Sequence, residues 1–471
     1  ILMIKGWGQS PVKARASGVR GNVWLRVLIG AAVFSLACLL GFRQLKGALC
    51  LRGESERLAF YAQKYAKSIA CVAVEYWVMD GNETAYEGLT FGTAFLADRQ
   101  GRLLTNCHVA CPWLSDGSFG NVCQSVRDKG GAPEFRYRMW VWFDGARALR
   151  NNRDMGEAPH LEDVFVVDSA YRTDANTRSV AVVGVRPRLG ATAEASLDSD
   201  VAVLQVAPVP KDLEPLPLSE GSSTPGRLES VLALGFPMGV QTMPDAVVTA
   251  SAAAGHIRRC FKNMIQVDVS LHTGNSGGPV VDARGRVIGI ASQVCCDESR
   301  IFAQPQSDMG QVLPIACASG LLGEVVSGKP QWNGVVDPGL DVKLERLWRA
   351  ARAGDRSGAC RTEGNMRSLE PARLLAGASL HAGGGDLDTA LARLKDLMEL
   401  YPDCAEGSFL RLLLTRGQLP KSVPSETARL LELDWRSEKE FYGYLARVVA
   451  GRVPLRETQD GWDDPSERAM L

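Results

Sequence analysis

Thr273-Gly274-Asn275-Ser276-Gly277-Gly278-Pro279 decides how this chain is read. The stretch sets one serine in a glycine-rich turn whose main-chain amides can face a developing oxyanion, and the glycines keep the approach clear of side chains. Ser276 is therefore a candidate nucleophile. A serine hydroxyl near its own pKa attacks poorly, so it needs a base within hydrogen-bond reach and a third group that fixes the tautomer of that base. Working outward, Leu103-Leu104-Thr105-Asn106-Cys107-His108-Val109 delivers His108 at the end of an apolar run, and Asp200 opens the alternating segment Val201-Ala202-Val203-Leu204-Gln205-Val206. The three arrive in the order His, Asp, Ser. The amides of Gly274 and Ser276 are the candidate oxyanion donors, and removing one such donor typically costs about 3–4 kcal/mol of transition-state stabilisation.

Residues 274–278 also fit the GxSxG pattern of α/β-hydrolases, but that fold runs serine, acid, histidine, and the only histidine after Ser276 is His381 in a helical tail. Several separate stretches instead resemble a trypsin-like serine protease of the HtrA/DegP type. Gly92-Thr93-Ala94-Phe95-Leu96, followed by Gly101-Arg102-Leu103-Leu104-Thr105-Asn106, is similar to the family's hairpin before the catalytic histidine. Leu234-Gly235-Phe236-Pro237-Met238-Gly239 is similar to its GxPxG turn, and Val287-Ile288-Gly289-Ile290 to the strand that lines its primary specificity pocket. The resemblance covers about residues 69–320. It implies an all-β double β-barrel, with His108 as base, Asp200 as orienter, Ser276 as nucleophile and the Gly274 and Ser276 amides as oxyanion hole. Asp198 is a near competitor, but Asp200 directly abuts the apolar alternation, as the family's aspartate does. The resemblance further implies polypeptide substrates, a role in envelope protein quality control, small aliphatic residues before the cut, homo-oligomers, and no cofactor or metal.

The chain departs from the family in three places. His108 and Asp200 lie 92 positions apart, a wider spacing than is usual there. The extra length falls at residues 111–153, with a second polar patch at 190–197; insertions in surface loops cost little closure entropy, and this one either gates the cleft or lies away from it. His272-Thr273 stands where the family commonly has Asn-Pro. After residue 327 neither a strand-rich stretch nor a carboxylate-binding glycine loop marks a PDZ domain.

With 471 residues, 46% hydrophobic and 23% charged, the chain is ordinary globular material long enough for two or three domains. Lys plus Arg and Asp plus Glu both number 53, which gives no electrostatic case for a nucleic-acid partner. The five histidines are scattered without a CxxC pair or an HExxH helix, so no metal site is expected. Cys111 and Cys123 bracket a polar loop and could close it in an oxidising compartment; buried thiols acting as small hydrophobes are the equal alternative.

Residues 1–22 read as a basic tail and 23–43 as a membrane helix. The apolar run 27–42 is short for a span unless Trp24 and Arg26 sit at the interface. A positive flank ahead of it and the lack of a clean cleavage site favour an uncleaved anchor over a cleaved signal, with a buried core helix third. That orientation places the catalytic region outside the cytoplasmic membrane, on the periplasmic or extracellular side. Residues 53–68 read as an amphipathic helix with Leu58, Tyr61, Ala62 and Tyr65 on one side, 69–327 as the protease domain, and 328–471 as a C-terminal helical domain. Within the last, Leu387, Leu391, Leu394, Met398 and Tyr401 recur at helical spacing behind the N-cap Asp386. With the helix before it this makes a hairpin similar to a single TPR-type unit, a place for a protein partner. The functional expectation is a membrane-anchored serine endopeptidase; its rivals are a catalytically silent binding protein and a protease active only when assembled.

Overall fold

Short alternating segments bounded by glycine and proline turns become strands because each buries one face. The computed structural model describes residues 53–147, 164–167, 178–187, 200–220, 225–239, 247–261, 264–297, 304–339, 353–364, 369–401 and 404–415, with isolated positions between 343 and 351. The apolar run 27–42 and the polar patch 190–197 lie outside these residues. Among the described residues no helix is long and apolar enough to cross a membrane.

Helix α1 (Glu54–Tyr65) turns Leu58, Tyr61 and Tyr65 inward. Seven strands then form a closed barrel in the order β1-β2-β3-β7-β6-β5-β4: β1 (Ile69–Asp80), β2 (Glu83–Leu96), β3 (Arg102–Thr105), β4 (Pro133–Phe143), β5 (Phe165–Val167), β6 (Ser179–Arg186) and β7 (Val201–Ala207). The pairings are antiparallel except that β5 runs parallel to β6. A second closed barrel follows the order β10-β13-β12-β11-β8-β9, from β8 (Ser230–Gly235), β9 (Ser251–Cys260), β10 (Ile265–Val267), β11 (Pro279–Asp282), β12 (Val287–Asp297) and β13 (Gln304–Pro314). Each barrel has its own apolar centre, Val72, Leu103 and Leu204 in the first and Val231, Val267 and Val280 in the second. Each fully buried aliphatic side chain of this kind contributes about 1.5–3 kcal/mol.

The stretch 111–153 is only partly an insertion, because residues 133–143 are the barrel strand β4. What is added is a 3-10 turn (Pro112–Leu114) and a helix, Gly117–Asp128. Phe119, Cys123 and Val126 give that helix its buried stripe. Trp113 packs on Phe135 at 4.7 Å and on Tyr76 at 6.1 Å. Tyr76 and Tyr86 donate their hydroxyls to Asp116 Oδ2 at 2.7 and 2.6 Å. Tyr86 lies seven strand positions from Thr93, about 23 Å at the rise of an extended strand. The helix thus braces the far end of the β1–β2 hairpin. Neither Cys111 nor Cys123 is in a disulfide.

After β13 the described helices are Ile315–Val326, Arg356–Gly364, Pro371–Gly383, Leu387–Leu400 and Ala405–Thr415. Asp386 caps the fourth of these by accepting from the Thr389 amide at 3.2 Å. Leu374, Ala378, Leu394, Leu397 and Tyr401 belong to the same buried cluster as Val72, Leu103 and Val185 of the first barrel. Part of the tail thus packs into the core of that barrel, which helps to cover a lone TPR-like hairpin, while Leu347, Ala351, Ala359 and Leu380 form a second buried cluster within the tail itself.

Candidate active site

β3 ends at Thr105, and the chain turns at once into the one-turn helix Cys107–Ala110, which carries His108 away from the barrel wall. Asp200 stands immediately before β7, the strand that pairs with β3, so barrel register alone brings the two together. His108 Nδ1 meets Asp200 Oδ2 at 2.7 Å, and the His108 amide donates to Oδ1 at 3.0 Å. The Ser292 hydroxyl donates to Oδ2 at 3.0 Å, and Asn106 Nδ2 donates to the main-chain oxygen of Asp200 at 2.9 Å. Only 6% of the Asp200 side chain is exposed. A carboxylate buried to that degree costs several kcal/mol unless hydrogen bonds replace its water, and three donors do so here. A carboxylate only accepts, so Nδ1 carries the imidazole hydrogen and Nε2 is the basic nitrogen.

Ser276 comes from the other barrel, on the loop between β10 and β11. Its hydroxyl donates to the main-chain oxygen of Ser292 at 2.9 Å. The loop around it is held on every plane. Thr273 O accepts from the Met238 amide at 2.7 Å, Gly274 O from Thr93 Oγ1 at 2.7 Å, and Asn275 O from the Gly278 amide at 2.9 Å. The Asn275 amide donates to His272 O at 2.9 Å and the Gly277 amide to Ala291 O at 2.7 Å. The amides of Thr273, Gly274 and Ser276 donate to no acceptor among the described residues, and the last two are those of the serine turn itself. Gly274 sits at φ 99°, and a Cβ there would stand 2.3 Å from Phe236 O. Only glycine fits that turn.

The arrangement has the parts of an acyl-transfer centre: a hydroxyl, an imidazole oriented by a buried carboxylate, and two amides uncommitted within one turn. The same fold carries relatives. Residues 92–290 match the model of the trypsin-like peptidase domain. They are similar to trypsin-like peptidase domains of the HtrA/DegP type. The chain is 29% identical over 154 residues to the chloroplastic Protease Do-like 1 of Arabidopsis thaliana, covering 31% of this chain and 32% of that protein. It is 29% identical over 194 residues to the periplasmic serine endoprotease DegP of Salmonella typhimurium, covering 39% and 37%. It is 31% identical over 144 residues to the putative serine protease HhoA of Synechocystis, covering 30% and 36%. The chain thus spans about a third of the length of the curated relatives it matches.

In this trypsin-like domain the sequence singles out His108, Asp200, Gly274 and Ser276, of which the structure joins His108 to Asp200 directly, and it passes over Ser292 and Thr93. Both are hydroxyl residues inside strands, where nothing in the alternation separates a packed side chain from a hydrogen-bonding one. Ser292 is 3% exposed and Thr93 wholly buried. His272 is exposed, and what it gives the site is its main-chain oxygen. Cys107, next to the base, is no second nucleophile. A hydrogen bond with Cys111 and then burial push its thiol well above the ordinary pKa, which keeps it protonated.

Proposed function

We propose that the chain is a serine endopeptidase in which Ser276 attacks the peptide carbonyl, His108 takes and returns the proton, and Asp200 holds the imidazole. The observation that carries the reading is the 2.7 Å contact of His108 Nδ1 with Asp200 Oδ2, in a fold that leaves the Gly274 and Ser276 amides uncommitted beside the serine. In the first step the Ser276 hydroxyl turns from Ser292 O to the imidazole, and its oxygen forms a bond to the scissile carbon. The carbonyl oxygen becomes an oxyanion between the two amides. His108 then passes the proton to the leaving amine, the C–N bond breaks, and an acyl-enzyme remains on Ser276. Water, deprotonated by His108, attacks that ester and returns the serine. No step calls for a cofactor.

The names of the relatives, periplasmic serine endoproteases among them, support polypeptide substrates in the cell envelope. The basic stretch 1–22 ahead of the apolar run 27–42 supports a single-pass anchor with the catalytic domain on the periplasmic side. Two experiments test these readings. Ser276→Ala should fold as the parent and cleave no peptide bond, and a fluorophosphonate probe should label the parent at Ser276 and leave the variant unlabelled; an unlabelled parent favours the silent binding protein. Protease added to intact spheroplasts should remove the catalytic domain, and its full protection would sink the periplasmic placement.

A further inference from the structure

Among the described residues, Thr93 of the first barrel takes hold of the serine loop at two places. We propose that its hydroxyl is the positioning group that keeps the oxyanion loop in its productive form, so that the histidine-bearing barrel sets the aim of the amides on the serine-bearing one. The proposal rests on the peptidase reading above.

The Ser276 amide lies in the peptide plane between Asn275 and Ser276. The planes on either side of it are both gripped by Thr93. Its hydroxyl donates to Gly274 O at 2.7 Å, and its amide donates to Ser276 O at 2.8 Å. The same hydroxyl accepts from the Phe236 amide at 3.0 Å, which ties in the turn whose next-but-one amide, that of Met238, holds Thr273 O and so directs the Gly274 amide the other way. Thr93 is itself fixed from behind, since Thr105 Oγ1 donates to its main-chain oxygen at 2.7 Å, three residues before His108. Both threonines are wholly buried, so no water replaces a lost bond. Gly277 seals the contact, because a Cβ there would stand 1.9 Å from Thr93 O.

Valine has the shape of threonine without the hydroxyl. It would strand the Gly274 oxygen and the Phe236 amide in a dry site, and the loop would gain by turning a plane to re-pair them. The test compares the full chain with Thr93→Val and Thr93→Ser, counting active sites by fluorophosphonate titration. Per titrated site, Thr93→Val should lower kcat by about 10–100-fold, less than or comparable to outright loss of an oxyanion donor, with KM within about twofold. Affinity for a peptide boronate, whose tetrahedral adduct uses the same amides, should fall by the factor lost in kcat/KM. Thr93→Ser should recover most of both. A purely structural role would instead reduce the titrated fraction and leave kcat per site alone. That result, or a serine variant as impaired as the valine one, overturns the proposal. If Thr93→Val does not fold, Thr93→Ala carries the same comparison. A parent that neither labels nor cleaves overturns the peptidase reading and this proposal with it.

Discussion

Asp200 Oδ2 accepts from two groups at once, His108 Nδ1 and Ser292 Oγ, and that double load fixes how the residue scale should respond. Asp200→Asn keeps the shape but offers an amide where a carboxylate accepted, which favours the wrong imidazole tautomer; kcat should fall by about 10⁴ with the fold intact by circular dichroism. Ser292→Ala leaves the aspartate and its histidine in place and removes one donor to a buried charge, a bond worth about 1.5–3 kcal/mol. Its loss in kcat/KM, read with a peptide substrate, should be smaller, about 10–100-fold. Gly274→Ala meets Phe236 O at 2.3 Å from a φ of 99°, so it should cost activity like the loss of an oxyanion donor, about 10²–10³-fold, and lower the melting temperature too. These residues differ in how legible they were. Ser276, Gly274, His108 and Asp200 announce themselves because a glycine turn, an apolar run ending in histidine and an aspartate at a strand start are rare together. Thr93 and Ser292 do not, because their role depends on which carbonyl lies opposite them across two barrels, and no local pattern encodes that.

Among the elements, the helix Gly117–Asp128 is one that the sequence concealed. Its glycines, serines and asparagine read as a polar loop, yet Phe119, Cys123 and Val126 keep helical spacing and Asp116 stands in the N-cap position. The deciding contribution is tertiary: aromatic side chains from β1 and β4 close over its stripe. By contrast β7 was legible from the run Val201-Ala202-Val203-Leu204-Gln205-Val206 behind Asp200. Asp116 gives this helix a pH dependence. Burial raises its carboxyl pKa, but hydrogen bonds from Tyr86, Tyr76 and the Ser118 and Phe119 amides outweigh that and hold it below the ordinary value. A depressed carboxyl contributes stability that is present above its unfolded pKa, about 3.9, and is lost as pH falls through the lower folded value. Asp116→Asn should therefore lower unfolding free energy by about 1–2 kcal/mol at neutral pH. The gap between variant and parent should narrow below about pH 3 in urea titrations, since the parent is then protonated as well; a gap unchanged with pH would remove the carboxylate from the account.

On the scale of the whole molecule, the segment that follows β13 and its helix runs behind His108. Trp332 O accepts from the Val185 amide at 3.0 Å, Trp113 Nε1 donates to Gly334 O at 2.8 Å, and Arg127 donates to Pro338 O at 2.7 Å. A Cβ on Gly334 would stand 2.3 Å from Cys111 Sγ, so the strap lies flush against the turn that follows His108. Further along, Tyr401 packs edge-on to Trp332 at 6.4 Å and donates its hydroxyl to Leu369 O at 2.7 Å. The change from alternating to helical periodicity near residue 327 suggested a domain boundary, and periodicity does report the change of element. It is silent on how the new elements share their burial, and these join the first barrel's cluster through Leu374, Leu394 and Tyr401 while keeping a smaller one of their own around Ala359 and Leu380. Two results should follow. Trp332→Ala, which empties a buried indole site, should cost about 3–5 kcal/mol of global stability and lower the melting point of barrel and tail together in one transition. Residues 340–415 expressed alone should show neither a cooperative thermal transition nor the helicity they have in the intact chain, because Leu374, Leu394 and Leu397 would face water instead of the barrel cluster. A tail fragment that unfolds cooperatively by itself would mean two cores that merely touch, and the strap behind His108 would then be a linker and no part of the catalytic half.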